Sequence, residues 1–437
     1  MNDIAGIPYI EAEFDKDGLG IGEQASLPDG VTDLFVISHG WNNDKLEAEE
    51  IYRKFFENLD EVAKLDDLPE RSFAIVGIIW PSKKYNTSVA VSGVPSAGQG
   101  AAAGLGMSIT DSSKILEDKL EQMKKDIFTE PGQQQLLDEI KVLIPNLDEK
   151  ATARVDFVNK MRSLLNQSTA SKEDASDSFF KDDGNELMKN LRADEDDLDE
   201  ELASSGGASL ALGVGTVSTA EGGAAGMVEF LSGFKAAAMN VLNFTTYYEM
   251  KTRAGSVGKS GVAPLIDKLA SQVQRIHLIG HSFGGRVVTA AADNSENKKI
   301  VSMTLLQAAF SHNGFSEIEA GFFRNVVDNQ RIKGPILITH TPNDKAVGLA
   351  YPLASRINGD NAMAFGDKDD VFGAIGRNGA QKMQDDETVD GQLLPVGENY
   401  AFQAGKFFNL EASNFIKDHS DVTGKEIGYM VSKALGV

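Results

Sequence analysis

The chain alternates short, continuously apolar runs with stretches whose apolar residues recur at helical spacing. Residues 32–38 (Thr-Asp-Leu-Phe-Val-Ile-Ser) and 72–80 (Ser-Phe-Ala-Ile-Val-Gly-Ile-Ile-Trp, stopped by Pro81) have the length and apolar content of buried strands. Between them, from Asp44 onward, Ala48, Ile51, Tyr52, Phe55, Leu59 and Val62 form one apolar helix face. Residues 7–14 alternate as a strand and end in the turn cluster Asp15-Lys16-Asp17-Gly18. Strand, helix, strand is the opening of a mostly parallel sheet.

That rhythm stops at about Ser82 and resumes near Phe244. The intervening residues contain no strand pattern but three helical ones: Ile115, Leu116, Leu120, Met123 and Ile127; Leu136, Leu137, Ile140, Leu143 and Ile144 behind Pro131; and Val155, Val158, Met161, Leu164 and Leu165. Two stretches rich in Gly, Ala and Ser, 86–110 and 203–226, flank them, and the acidic run 181–201 reads as a loop or an exposed helix. The expected organisation is a core in two parts, 1–82 and 244–437, interrupted by a mainly helical cap, 83–243.

In the second part, Ser260 is placed as the N-cap of a helix running through Pro264, Leu265, Ile266 and Leu269. Further strands are expected at 273–279, 300–306, 335–340 and 407–412, with a helix near 321–328. Residues 345–404 are Gly- and Asp-rich and weakly patterned, and a final helix turns Ile427, Val431 and Leu435 inward. The fold class is α/β, with a mostly parallel sheet of about eight strands flanked by helices.

Composition removes several functions. With 437 residues, 41% of them hydrophobic, the chain can bury a large core. A net charge of −23 argues against nucleic acid or an anionic membrane surface as the main partner. The absence of cysteine excludes disulfides, thiolate catalysis and cysteine-ligated metals. The N-terminus has no signal-peptide pattern, and the uncharged stretches 86–110 and 202–220 lack the Leu/Ile/Phe content of a spanning helix. No integral membrane insertion and a soluble, cytoplasmic protein are therefore expected.

The chemistry centres on Gly280-His281-Ser282-Phe283-Gly284-Gly285, which lies between an apolar strand and the small, apolar run Arg286 to Ala292. Strand, Gly-x-Ser-x-Gly, helix is a nucleophile elbow, a sharp turn that exposes a serine hydroxyl. Such a hydroxyl needs a general base, normally a histidine oriented by a carboxylate. Of the six histidines, His277 lies in the elbow strand, His281 neighbours the serine but points off the turn, and His340 ends a strand. His312 follows the strand at 300–306 and competes for the role of base; His419 lies between the last strand and the last helix, where the order Ser, acid, His puts it. Asp344, in the turn Thr341-Pro342-Asn343-Asp344 after a strand end, is the expected acid. The oxyanion hole should combine the backbone N–H groups of Phe283 and Trp41, with Gly40 allowing close approach and Asn42 and Asn43 buttressing the loop. His39, Gly40, His281 and His312 are the supporting or substrate-binding candidates. Gly255-Ser256-Val257-Gly258-Lys259-Ser260 lacks the first glycine and the preceding strand of a phosphate-binding loop and is set aside.

Taken together, Ser38-His39-Gly40-Trp41, the elbow, Pro342-Asn343-Asp344 and Asp418-His419 resemble the α/β-hydrolase superfamily, its esterase and lipase branches in particular. The resemblance covers roughly 1–82 and 244–437 and implies Ser282 as nucleophile, Asp344 as acid and His419 as base, with no cofactor and no metal. Caps in that family usually follow the strand after the elbow strand, whereas this insertion precedes the elbow, so the resemblance implies nothing about the cap's substrate. The expected activity is hydrolysis of a small-molecule or lipid-like carboxylic ester through an acyl-enzyme. The alternatives are an amidase or peptidase with the same triad, or a binding protein whose cap engages a partner.

Overall fold

The computed structural model describes residues 2–22, 25–65, 70–82, 112–171, 174–192, 233–344, 357 and 372–436. The stretches 86–110 and 203–226, residues 345–371 other than 357, and the acidic residues 193–201 lie outside these. The chain divides into two compact units: one comprises Met1–Lys83, Met250–Tyr351 and Met363–Val437, the other Lys84–Glu249 and Pro352–Ala362.

The first unit is built on a ten-stranded sheet. In chain order its strands are β1 (Asn2–Ile4), β2 (Ile7–Phe14), β3 (Gly20–Ile21), β4 (Asp33–Ser38), β5 (Phe73–Ile79), β6 (Arg275–His281), β7 (Ile300–Leu306), β8 (Ile336–His340), β9 (Thr388–Gln392) and β10 (Phe407–Glu411). Across the sheet the order is β1-β2-β5-β4-β6-β7-β8-β10-β9, with β3 paired to β2. The pairings from β2 through β5, β4, β6, β7, β8 and β10 to β9 are parallel; β1 and β3 join β2 antiparallel. About eight strands were expected, and ten are present among the described residues. The additions include β3, which is two residues long, and β9, which is largely exposed, so neither carries a hydrophobic signature.

Side chains alternate across the sheet. Phe35, Ile37, Phe73, Ile75, Ile279, Leu306, Leu337, Phe408 and Leu410 share one core with Tyr52, Phe55, Phe56 and Leu59 of the helix Lys45–Ala63 and Ile427, Met430 and Val431 of the helix Lys425–Ala434. The two helices touch closely: a Cβ on Gly428 would sit 2.9 Å from Leu59 Cα. Asp44 opens the first helix with a full capping box, its carboxylate accepting from Glu47 N while the Glu47 side chain accepts from Asp44 N. On the other face lies the helix Phe283–Asn294, whose Thr289 hydroxyl meets the Met303 sulfur.

Ser260 is not an N-cap. The helix Phe234–Ser256 continues through one π-helical turn, Val257–Val262, into Ala263–Leu269. Gly258 explains the irregular turn: a Cβ there would lie 2.3 Å from Val287 O, so the backbone presses directly onto the helix after the elbow. The rejected phosphate-loop sequence falls within this helical run.

The second unit is helical where it is described, with helices Ser112–Asp126, Pro131–Lys141, Ala151–Ser163, Ser176–Lys181, Gly184–Asn190 and the first part of Phe234–Ser256. Leu116, Leu120 and Met123, then Leu137 and Ile140, then Phe157, Val158 and Met161 are buried, as helical periodicity predicts. The beginning of the acidic run is not merely exposed, since Leu187, Met188 and Leu191 are fully buried. Among the described residues no helix is long and apolar enough to cross a membrane.

Candidate active site

Parallel register places the site. Ser38 pairs with Gly280, His281 with Leu306, Leu306 with Thr339, and Glu411 with His340. The residues that follow these strand ends, 39–41, 282, 307, 341–344 and 412–419, therefore emerge along one edge of the sheet. After β4 the chain steps to β5 on one side and later returns to β6 on the other. The carboxyl ends of β4 and β6 thus flank a topological switch point, the place where open α/β sheets bind ligands.

Ser282 sits on the turn with φ 56° and ψ −125°. A non-glycine residue in such a conformation is strained and needs surrounding structure to hold it. That structure consists of three backbone bonds: Ser282 N–H donates to Leu306 O at 3.0 Å, and Ser282 O accepts from Gly285 N and Ala309 N, each at 3.0 Å. A side chain on Gly280 would strike Gly284 O at 2.4 Å, and one on Gly284 would strike Ser38 O at 2.1 Å. Only hydrogen at both positions lets strand, turn and helix converge.

The expected acid and base, Asp344 and His419, meet. His419 Nδ1–H donates to Asp344 Oδ2 at 2.7 Å, with the Asp344 side chain fully buried and that of His419 20% exposed. A proton held on Nδ1 leaves Nε2 as the basic nitrogen. Asp344 closes a short turn, its N–H donating to Thr341 O at 3.2 Å. Asn343 Nδ2 ties that turn to the base loop, donating to Ser413 O at 3.3 Å and Ile416 O at 3.0 Å. Arg377 Nη1 donates to Pro342 O at 2.8 Å. No hydrogen bond joins Ser282 Oγ to His419 Nε2 among the described residues; such bonds are often long before substrate binds. The nucleophile and base loops are linked instead one residue away, where His281 Nε2–H donates to His419 O at 2.8 Å.

Other histidines and carboxylates are committed elsewhere. His312, the competing base, is fully buried, with Nδ1 3.1 Å from Asn378 Nδ2 and its backbone N–H on Gly373 O. Asp421 accepts from Lys417 N at 3.1 Å and Asp418 from Ser420 N at 2.8 Å, so both order their own loop. His277 lies toward the opposite sheet edge, between Ser302 Oγ (2.8 Å) and Asp33 Oδ1 (3.2 Å). Burial pushes the Asp33 carboxyl up, but hydrogen bonds from His277, Arg275, Arg71 and Thr32 outweigh it and hold the group well below the usual carboxylate range. That network fastens β4 to β6.

The 39–41 loop lies against the elbow. A Cβ on Gly40 would be 2.6 Å from Ser282 Cβ, and the rings of Trp41 and Phe283 meet edge-on at 5.8 Å. Phe283 is the first residue of its helix, and a helix does not use its first N–H groups in its own ladder. Asn43 Nδ2 donates to Gly40 O and Trp41 O, each at 3.3 Å, and Asn42 N donates to Ser82 O at 2.9 Å. His39 stacks on Trp80 with centroids 5.6 Å apart and donates from Nδ1 to Gly40 O at 2.9 Å. Burial lowers its pKa to about 4, so it remains a neutral spacer.

Two residues escaped the sequence reading. Tyr52 was visible only as part of an apolar helix face, yet its hydroxyl accepts from His39 N at 2.8 Å and donates to Ile78 O at 2.6 Å, fixing the start of the 39–41 loop. Gln307, directly after β7, donates from Nε2 to Asp344 Oδ2 at 3.2 Å and to Gly376 O at 3.0 Å. Its position one residue past a strand that neighbours the elbow strand was the available signal, but no motif marks it. Comparison of the chain with protein-family models, with curated proteins and with solved structures found no match to any of them.

Proposed function

We propose that this chain is a serine hydrolase of the α/β-hydrolase type that cleaves carboxylic esters through an acyl-enzyme on Ser282. The observation that carries the proposal is the 2.7 Å bond between His419 Nδ1 and Asp344 Oδ2, formed on the same sheet edge as the strained Ser282 turn. With Nδ1–H committed to Asp344, Nε2 of His419 takes the Ser282 proton as Oγ attacks the ester carbonyl. The Asp344 carboxylate stabilises the imidazolium, and the negative charge developing on the substrate oxygen falls to the N–H groups of Phe283 and Trp41. His419 then protonates the departing alcohol, leaving an acyl group on Ser282. Water, deprotonated by the same Nε2, attacks that acyl group; the Ser282 Oγ–acyl bond then breaks, Oγ takes the proton back from His419, and the acid is released.

Tight apposition of Gly40 to the elbow supports the oxyanion assignment, because it brings the 39–41 backbone beside the reacting oxygen. Turnover of p-nitrophenyl esters of rising acyl length, beside the matching anilide, tests the reading. Ester cleavage abolished by Ser282→Ala is expected, with the chain-length dependence reporting how lipid-like the substrate is. Cleavage of the anilide in preference to the esters would replace it with an amidase, and no cleavage by the folded protein would remove it.

A further inference from the structure

His281 closes β6 and immediately precedes the nucleophile. Its Nε2 lies 2.8 Å from the carbonyl oxygen of His419, and a carbonyl can only accept, so this nitrogen carries the proton. The two imidazole centroids are 4.9 Å apart. The other nitrogen, Nδ1, is buried without a hydrogen-bond partner, and a Cβ on Gly40 would lie 3.2 Å from it. An unpaired buried acceptor is a cost that an apolar side chain of similar size would avoid. The ring's retained polarity is therefore spent entirely at Nε2.

We propose that His281 is a positioning residue whose Nε2–H pins the backbone of His419, so that the strand delivering the nucleophile also sets the location of the base. This inference rests on the hydrolase reading above. Two further observations agree with it. Burial, followed by the proximity of His419, lowers the His281 pKa to about 3, so the ring stays neutral while His419 gains and loses its proton. A charged ring at this distance would oppose formation of the His419 imidazolium. The titratable groups around it are His419, Asp344 and His39; the bond to the His419 carbonyl and the Asp344 carboxylate favour protonation of the ring, and burial and the two imidazoles oppose it. Gly40 and Ser282 also converge on this residue, so oxyanion loop, nucleophile and base share one point of reference.

The test compares His281→Leu, His281→Asn and His281→Gln in the full chain, with p-nitrophenyl butyrate as substrate and a thermal melt of each variant. A glutamine amide reaches about as far as Nε2, whereas asparagine stops short and leucine has no donor. Small misplacements of catalytic groups cost up to about 100-fold. The expectation is a loss of kcat of about 10- to 100-fold in the Leu and Asn variants, KM within about twofold, and recovery of most of kcat in the Gln variant. If the Leu variant fails to fold, the Gln and Asn pair alone decides. Wild-type kcat in the Asn variant, Gln no better than Asn, or an effect confined to KM would overturn the proposal while leaving the hydrolase reading intact. An inactive wild type would remove both.

Discussion

Asp344 and His419, 75 positions apart in the chain, meet through a single 2.7 Å bond, and Gln307 reaches the same carboxylate oxygen from a third strand end. Asp344 thus accepts from both His419 and Gln307 and is buried completely, while His419 keeps one side toward solvent. That asymmetry suits the proposed pair, in which only the imidazole exchanges protons.

Replacing Asp344 with asparagine keeps the size but can offer His419 an N–H instead of an acceptor, favouring the wrong tautomer. Ester turnover should fall about 10³- to 10⁴-fold, as expected when an orienting carboxylate loses its charge. Steady-state kinetics on the folded variant check this, and a loss smaller than tenfold would mean that Asp344 does not orient the base.

Gln307→Leu removes one donor from Asp344 and one of two donors to Gly376 O, which keeps its bond from Thr341 N. A stability loss of about 1–3 kcal/mol is expected from the two lost hydrogen bonds, one of them to a carboxylate, together with a fall in kcat of roughly tenfold. Urea unfolding and kinetics measured on the same preparation separate the two effects. An unchanged kcat at reduced stability would show Gln307 to be a structural tie only.

Gly40→Ala drives a methyl group to 2.6 Å from Ser282 Cβ, so the loop or the elbow must move. Because this contact lies between nucleophile and oxyanion donors, kcat should drop by about 100-fold or more. The same substitution at Gly20, where a Cβ meets nothing within 4 Å, should leave activity near wild type and serves as the control.

The pH dependence of stability follows from the buried histidines. The ordinary histidine pKa is about 6.5, and burial lowers that of His39 to about 4 and that of His281 to about 3, with His277 moved the same way. Below pH 6.5 the unfolded chain binds protons that the folded chain refuses. The stabilisation is therefore complete above about pH 6.5 and is lost as the pH falls toward 4, by about 3 kcal/mol for His39 alone. Urea midpoints should be level from pH 7 to 8 and decline steadily below 6.5. A midpoint unchanged between pH 7 and 5 would contradict this.

Much of the site was legible because its positions follow strands with strong apolar signatures. Leu34 to Ile37 and Ile276 to Ile279 are buried, so the strands themselves, and with them the residues just beyond their ends, could be located from pattern alone. What remained hidden depends on contacts between distant segments. Tyr52 looked like core because all of its side chain but the hydroxyl is apolar, and nothing local shows that this hydroxyl bonds β5 and the 39–41 loop. Ser260 looked like a cap because serine is a preferred N-cap and stands just before the helical run through Pro264 and Leu265, whereas the helix already runs through it, with Gly258 packed on the elbow helix. Strand β9, Thr-Val-Asp-Gly-Gln, is recruited by pairing with β10 rather than by burial, so its residues carry no alternation to read.

Labelling with a fluorophosphonate probe tests the central claim most directly, because only an activated serine beside a working base forms the phosphonyl adduct. Wild-type protein should be labelled at Ser282, as located by peptide mass, with labelling lost in Ser282→Ala and strongly slowed in His419→Ala but not in His312→Ala. No adduct on the folded wild type, or equal labelling of wild type and Ser282→Ala, would contradict it.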